Sequence, residues 1–436
     1  EYRKKNVNDI LYNMLYESYR EGFLSHMDIA QLLFNLVKHK YVVSIPEGER
    51  CKIWYEFIID DDQHVDGELY KWRPWEIQPV SLIRYISQTL PTLFDLVLKR
   101  IQKNCENSVE KMVKYFNKVV QNFKSIMRKL GDRNFIINIV KMAEELFYRK
   151  DFAIELDKDP LIRGVQNGVL KLTLIPKGSP TLIQGYHNHL ISKYTKVPYI
   201  AFDPYDPLTK KIIITLRNLF PNSETDSFEF TMYYLSSTID GNPKESMFMI
   251  MVGSGCNGKS FLVEIHKGAI GATYGVKMQL SFLTGKATSA DNATPAIMQL
   301  KNATFAYYSE SNKHEVLNVA RIKEVTGLET IAGRKLHQDL VNFKPTCHHL
   351  VTSNYDFDIE CNDHGTWRRI EYNPLKITFK DPKTERYNAA DPYQRIGDDT
   401  VTKDWTNNSE VQGRYLGYLV YCHFKLYRMY RGKVKS

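Results

Sequence analysis

Three short apolar runs dominate the hydrophobic pattern of the second half of the chain: Met247-Phe-Met-Ile-Met-Val252, Ala303-Thr-Phe-Ala-Tyr-Tyr-Ser309 and His348-His-Leu-Val-Thr-Ser353. None contains a charged side chain, and each is too short for a buried helix. That is the signature of strands covered on both faces. Elsewhere the apolar spacing is helical. It runs from Asn8 to about His39 (Leu32, Leu33, Leu36), from Leu82 to about Tyr148 with a break at Gly131-Asp132, and over Phe228–Ser237. It returns at Val316–Thr326, closed by Gly327, and at Gln412–Arg431, where Leu416, Leu419, Val420 and Phe424 share one side. Hairpin patterns come between. Cys51–Ile59 and Leu69–Arg73 flank an acidic turn, and Tyr41-Val-Val precedes them. Asn167-Gly168 separates two apolar runs, and Thr330–Leu336 and Leu340–Phe343 read as two arms. Trp54, Tyr55, Tyr70, Trp72 and Trp75 form either a small core, the commoner use, or a base-stacking surface.

These elements predict a mainly helical N-terminal domain with small β-hairpins over residues 1–205. An α/β core with a parallel sheet follows over 206–375, then a C-terminal helical region over 376–436. The Pro-, Gly- and Asn-rich stretch 176–206 is read as a connector, with the boundary near Pro204–Pro207, and Phe379–Thr406 as irregular.

Composition adds limits. With 43% apolar and 25% charged residues the chain is globular, not disordered. Lysines and arginines number 59 against 50 acids, a net +9 that permits an anionic partner. The basic clusters at Lys99–Lys150 and Lys425–Lys435 fit nucleic acid or simply solvated helix faces. Six cysteines without a C-x-x-C pair predict no disulfide framework and a reducing compartment. Cys347-His348-His349 with Cys361 and His364 is a weak zinc pattern, because its first part enters an apolar run. No apolar stretch approaches membrane-spanning length. The chain starts at Glu1 rather than Met, which predicts a fragment of a longer protein.

The chemistry is concentrated after the first apolar run. Gly253-Ser-Gly-Cys-Asn-Gly-Lys-Ser260 reads G-x-x-x-x-G-K-S, between a strand pattern and a helix pattern that starts at Phe261. In that context the backbone of Gly253, Ser254, Gly255, Cys256, Asn257 and Gly258 is predicted to cradle phosphates. Lys259 is expected to reach the β- and γ-phosphates and Ser260 to hold Mg²⁺. ATP and Mg²⁺ are therefore the expected ligands.

Hydrolysis requires further groups. Glu310, after the second apolar run, is a candidate for polarising water or holding the metal. Asn354, after the third, is a candidate for the γ-phosphate or the attacking water. Arg368 and Arg369 are candidates for fingers that reach a neighbouring subunit's nucleotide. Each has a plainer reading, as a loop cap or a solvated pair, and their order behind the phosphate loop is what favours the functional one.

That order is Gly253–Ser260, Ala306-Tyr-Tyr-Ser-Glu310, Ile322-Lys-Glu-Val-Thr-Gly327, His349-Leu-Val-Thr-Ser-Asn354 and Trp367-Arg-Arg369, and it resembles a superfamily 3 helicase. Gly164-Val-Gln-Asn-Gly-Val-Leu-Lys-Leu172 resembles the domain before the helicase in primase-helicases of poxviruses, asfarviruses and related phages. The resemblance covers roughly residues 50–375. It implies an AAA+-like ATPase that assembles as a hexamer and moves on single-stranded and replication-fork DNA. Such a protein would work beside other replication proteins in the host-cell cytoplasm, without a membrane. It implies that Arg334, Lys335 and His337, in a hairpin before the Asn-bearing strand, contact DNA, and that Lys323 lies near the nucleotide. Ser309 departs from the family, which often has a second acid there. That departure keeps a nucleotide-gated scaffold open as an alternative, beside a DNA-packaging or initiator ATPase. Cys256 occupies a variable loop position where a thiol would be open to oxidants.

Overall fold

The helix His26–Val37 shows how the first unit is built. Ile29, Leu32, Leu33 and Leu36 fall on one side and are buried, while Ser25 and Asp28 close a reciprocal cap at its start. The computed structural model describes residues 25–58, 70–75, 79–105, 110–172, 180–285, 294–309, 315–360, 363–381, 386–431 and the single positions 383, 433 and 434. It divides into two compact units, Glu1–Ile58 with Trp72–Glu155, and Ile59–Lys71 with Leu156–Ser436.

In the first unit, strands β1 (Tyr41–Ser44), β2 (Ile53–Ile58) and β3 (Lys71–Trp75) form a sheet in that order. The expected pairing of the second and third strands holds, and the acidic turn between them lies outside the described residues. Trp54, Tyr55 and Trp72 are buried. Trp72 meets Phe152 edge-on at 4.8 Å and Tyr55 meets it at 5.3 Å, so these rings are core rather than a stacking platform. The buried Glu56 carboxylate accepts from Trp75 Nε1 (2.9 Å) and Ser81 Oγ (2.7 Å). Helices Leu90–Cys105, Glu110–Lys129 and Arg133–Leu146 follow. The break at Gly131-Asp132 is real: the Asp132 side chain caps the last of these by accepting from Phe135 N at 2.8 Å.

The second unit starts at Leu156, well before the boundary expected near residue 205. A buried arginine accounts for the difference. Strands β4 (Ile162–Val165) and β5 (Gly168–Lys171) form the Asn167-Gly168 hairpin, joined by β6 (Thr181–Ile183). From β4 the Arg163 guanidinium donates to Ile239 O (2.9 Å) and Ile270 O (2.8 Å) and lies 3.6 Å from the Tyr274 ring centre. Burial pulls its pKa down to about 10. A cation held by two carbonyls and a ring face ties this hairpin into the sheet-bearing unit.

The centre of that unit is a five-stranded parallel sheet: β7 (Phe248–Val252), β8 (Gly275–Met278), β9 (Phe305–Tyr308), β12 (His348–Ser353) and β13 (Ile370–Pro374). Its spatial order is β13-β7-β12-β9-β8. β10 (Ile331–Gly333) and β11 (Val341–Phe343) form a separate antiparallel hairpin. One sheet face, with Met249, Met251, Leu350 and Phe305, packs with helices Thr225–Ser237, Lys259–Ile270 and Ser409–Tyr430. The other, with Phe248, Ile250, Tyr308 and Val351, packs with helix Val319–Thr326. Helices thus cover both faces, as an all-parallel sheet requires. This is the α/β arrangement with a parallel sheet that was expected, preceded by a mainly helical unit.

The C-terminal helix belongs to the same core, with Leu416, Leu419 and Val420 fully buried. The stretch expected to be irregular contains β14 (Thr378–Lys380) paired in parallel with β15 (Gln394–Ile396), and a short helix, Asp399–Trp405. Among the described residues, no helix is long and apolar enough to cross a membrane.

Candidate functional site

The strand order fixes where a ligand can sit. After β7 the chain leaves toward the β8 edge, and after β12 it crosses to β13 on the other side of β7. The crevice beyond the carboxyl ends of β7 and β12 is the topological switch point, the binding position of open α/β sheets. The glycine-rich loop lies there. A cavity of about 510 Å³ opens beside it, lined among others by Lys259, Ser260, Lys277, Ser309, Thr352 and Asn354.

The loop's shape is set by glycines and by one asparagine. Gly258, just before helix Lys259–Ile270, has φ +78°, and a Cβ there would stand 2.3 Å from Leu219 Cδ2. Glycine takes that backbone without strain and without displacing Leu219. The Asn257 side chain is buried. Its Nδ2 donates to Leu375 O (3.1 Å) and Ile377 O (2.6 Å). Its Oδ1 accepts from Gly255 N (2.8 Å) and Lys259 Nζ (3.2 Å). A second strut is Phe379 N donating to Cys256 O at 2.8 Å. The loop therefore hangs from the segment that leaves β13, a role the sequence reading missed when it placed Asn257 only among phosphate contacts. Asn257→Ala should lower unfolding free energy by roughly 1–3 kcal/mol, because two buried carbonyls lose their donor. Denaturant melts measure this, and an unchanged midpoint would mean that no such clamp operates.

Lys259 Nζ also donates to Gly253 O at 2.6 Å, and burial pulls the ammonium pKa down. The first N–H groups of the Lys259–Ile270 helix have no intrahelical acceptor and face the loop, where the helix dipole is positive. Ser260 is exposed at that helix start. A phosphate chain with Mg²⁺ fits these groups: anion donors along the backbone, a cation in Lys259, and a hydroxyl oxygen for a hard metal in Ser260.

Strand register brings Asn354 to the same place. Ser353 pairs with Val252, and Gly253 N donates to Ser353 O at 3.2 Å, so Asn354 follows directly beside the loop. Ser309 emerges next to Thr352, whose hydroxyl donates to Tyr308 O at 3.2 Å. Glu310 lies outside the described residues.

Arg368 and Arg369 are not brought to this crevice. Phe248 N donates to Arg369 O at 2.7 Å, and Ile370 pairs with Phe248, the first residue of β7. The arginines therefore sit at the opposite end of the sheet, one strand length or about 13 Å of rise from the loop. Arg369 is tied down, with Nη1 donating to Gly365 O at 2.5 Å, whereas Arg368 is exposed. The short helix His364–Trp367 before them is capped by Asp363, which accepts from Gly365 N and from Thr366 Oγ1, both at 2.9 Å. Asp363 also takes an ion pair from Lys323. The hydrogen bond from Lys323 holds the Asp363 carboxyl well below its usual range. Lys323 is thus attached to the arginine-bearing helix.

In the hairpin, Gly333 pairs with Val341, and the turn 334–340 projects Lys335 and His337 into solvent. His337 has φ +61°. Arg334 is held closer in, exchanging hydrogen bonds with Thr294 (Arg334 N to Thr294 Oγ1 3.0 Å, Thr294 N to Arg334 O 2.8 Å).

The zinc pattern has other uses. Cys347 is buried, its thiol pushed up to about 12. His349 is bonded through both ring nitrogens, to Tyr308 OH (3.1 Å) and Val325 O (3.2 Å), and burial lowers its pKa to about 4. Cys361 lies outside the described residues. Cys256 is exposed, as expected of its loop position.

Comparison with known proteins shows what this chain is similar to. Residues 60–229 match the family described as "D5 N terminal like", and residues 251–369 a "Family of unknown function (DUF5906)". The chain is similar to viral proteins named as primases and helicases. It is 32% identical over 416 residues to "Putative primase C962R" of African swine fever virus (strain Badajoz 1971 Vero-adapted), covering 95% of this chain and 42% of that protein. It is 29% identical over 368 residues to "Putative helicase L207/L206" of Acanthamoeba polyphaga mimivirus, covering 83% and 35%. The chain thus spans less than half the length of these relatives. Among solved structures, the apo NrS-1 C terminal region aligns at 17% identity and TM-score 0.36, over 55% of this chain and 50% of that one.

Proposed function

We propose that this chain is the motor portion of a viral primase-helicase: a superfamily 3 ATPase that forms a ring, a hexamer by family resemblance, and moves along single-stranded DNA. One observation carries the reading. The phosphate loop with Asn354 and the arginine pair stand at opposite ends of the same sheet, so the two halves of a hydrolysis site can meet only when a second copy supplies one of them. Head-to-tail packing of identical subunits closes into a ring when the rotation permits.

In such a site the loop backbone and Lys259 hold the phosphates, and Ser260 with Glu310 would hold Mg²⁺, which neutralises developing charge when bound. Asn354 orients water or the terminal phosphate. Arg368, exposed and carried on a capped helix, is the better-placed finger toward the neighbouring subunit, and Asp363 with Lys323 positions it. Work at viral replication sites in the host cytoplasm, on fork DNA, is consistent with the named relatives.

Ser309 favours a second reading, in which nucleotide binding assembles a scaffold without turnover. ATP hydrolysis stimulated by a single-stranded oligonucleotide, together with displacement of a strand from a forked duplex, separates the two. A chain that binds ATP but does neither would favour the scaffold. Displacement also separates a helicase from a packaging or initiator ATPase. The variant Lys335→Ala with His337→Ala should retain basal hydrolysis and lose about tenfold in unwinding, the effect of removing two phosphate contacts per subunit. Undiminished unwinding would take the hairpin out of the mechanism.

A further inference from the structure

Most of the chain's excess positive charge lies in two helices of the first unit, far in sequence from the phosphate loop. Residues 90–129 contain nine lysines and arginines and three acids, a net +6 of the whole chain's +9. Helices Leu90–Cys105 and Glu110–Lys129 are separated by four residues and pack through Phe94 against Phe123, edge-on at 5.7 Å. So short a link returns the second helix antiparallel to the first. Phe94, Val97, Leu98, Phe123 and Ile126 are buried, while Lys99, Arg100, Lys103, Lys118, Lys124, Arg128 and Lys129 are exposed. Each helix therefore turns its apolar side inward and a basic side outward. Asp95 pairs with Lys99 at 2.7 Å, but among the described residues no acid pairs with Lys103, Lys118, Lys124 or Arg128.

Spacing distinguishes this face from an ordinary solvated surface. On the second helix the basic positions recur every turn or two, and in sequence Lys111 and Lys114 continue the interval before Lys118. Turns are about 5.4 Å apart, so the exposed cations from Lys118 to Arg128 form a row about 15 Å long. A row of that pitch complements a chain of regularly spaced phosphates. A membrane surface is a poor fit, because a helix lying in lipid must offer its apolar side, and here that side is buried in the unit's own core.

We propose that this face binds the phosphodiester backbone of a DNA strand without regard to sequence, as a contact separate from the β10–β11 hairpin. Several backbone cations acting together give affinity that depends steeply on salt, and hold a strand without reading it.

The test uses the whole chain with fluorescein-labelled oligothymidylate, read by anisotropy over a salt series. It is run in the Lys335→Ala, His337→Ala background, so that the two hairpin side chains that project into solvent are removed from both proteins compared. Changing Lys103, Lys118, Lys124 and Arg128 together to Gln should weaken binding at least about tenfold at low salt. It should also make the slope of log K against log salt shallower by about 2–3, four single-strand contacts at about 0.7 each. Circular dichroism and DNA-free ATP turnover should stay unchanged, since all four side chains are exposed. Equal affinity and slope in the two proteins would overturn the proposal. So would polyglutamate that displaces the oligonucleotide as well as unlabelled oligothymidylate does at equal charge, which would assign the face to an acidic protein. The readout needs no nucleotide, so a chain without ATPase activity would refute the motor reading and leave this result standing.

Discussion

Lys259→Ala is expected to reduce ATP hydrolysis by at least 10²–10³-fold, about 3–4 kcal/mol of transition-state stabilisation, the usual scale for removing one preorganised charge or donor from such a site. The geometry accounts for the size. Lys259 sits at the first position of a helix whose dipole already favours anions, and it is buried enough that its pKa is pulled down. In so dry a position a cation acts on phosphate far more strongly than at an open surface. Its 2.6 Å bond to Gly253 O is within the loop, and the loop is separately suspended from Leu375 and Ile377 by Asn257. Removing the lysine should therefore spare the fold. Circular dichroism and the thermal midpoint should remain near wild type while turnover disappears. Asn257→Ala should show the converse order, with stability falling first. A Lys259→Ala protein that hydrolyses ATP at the wild-type rate would remove the phosphate loop from the chemistry.

How much of this could be read beforehand follows from burial. β7, β9 and β12 are interior strands of a parallel sheet, covered on both faces, so each left an uninterrupted apolar run that periodicity detects. β8 and β13 form the sheet's two edges. Gly275-Val-Lys-Met and Ile370-Glu-Tyr-Asn-Pro mix exposed polar positions with buried ones and carried no such signal. The glycine-rich loop's place between a strand and a helix was legible because its residues are contiguous and each answers to a local steric rule. Asn354 was legible because it follows an apolar run directly. Contacts between distant residues were not. Nothing near Asn257 announces that its amide meets carbonyls more than a hundred residues later. Nothing near Arg163 announces that it is buried against Ile239, Ile270 and Tyr274, which is why a hairpin assigned to the N-terminal domain belongs to the sheet unit. The position of Arg368 and Arg369 likewise depends on strand order, which no single segment encodes.

That position leads to the most discriminating experiment. If the arginines serve a neighbour's loop, Lys259→Ala and Arg368→Ala subunits should each be inactive alone and regain activity when mixed. In a random equal mixture, an intact loop faces an intact arginine at about one interface in four, so about a quarter of wild-type turnover should return if interfaces act independently in a head-to-tail ring. Arg368 is the residue to change first. It is exposed, whereas Arg369 is partly buried and holds the Gly365 carbonyl, so changing Arg369 would confound function with folding. A finger of this kind contributes on the order of 10³–10⁵ in turnover, so the recovered signal would stand far above either parent. Asp363→Asn offers a graded check. It weakens the ion pair with Lys323 and the cap on the arginine-bearing helix, and should lower turnover less than Arg368→Ala does. Mixed assemblies that form, as native mass spectrometry would show, yet stay inactive would exclude a shared site. A particle that remains a single chain while hydrolysing ATP at full rate would exclude it more directly, because the sheet keeps these arginines away from the crevice their own chain provides.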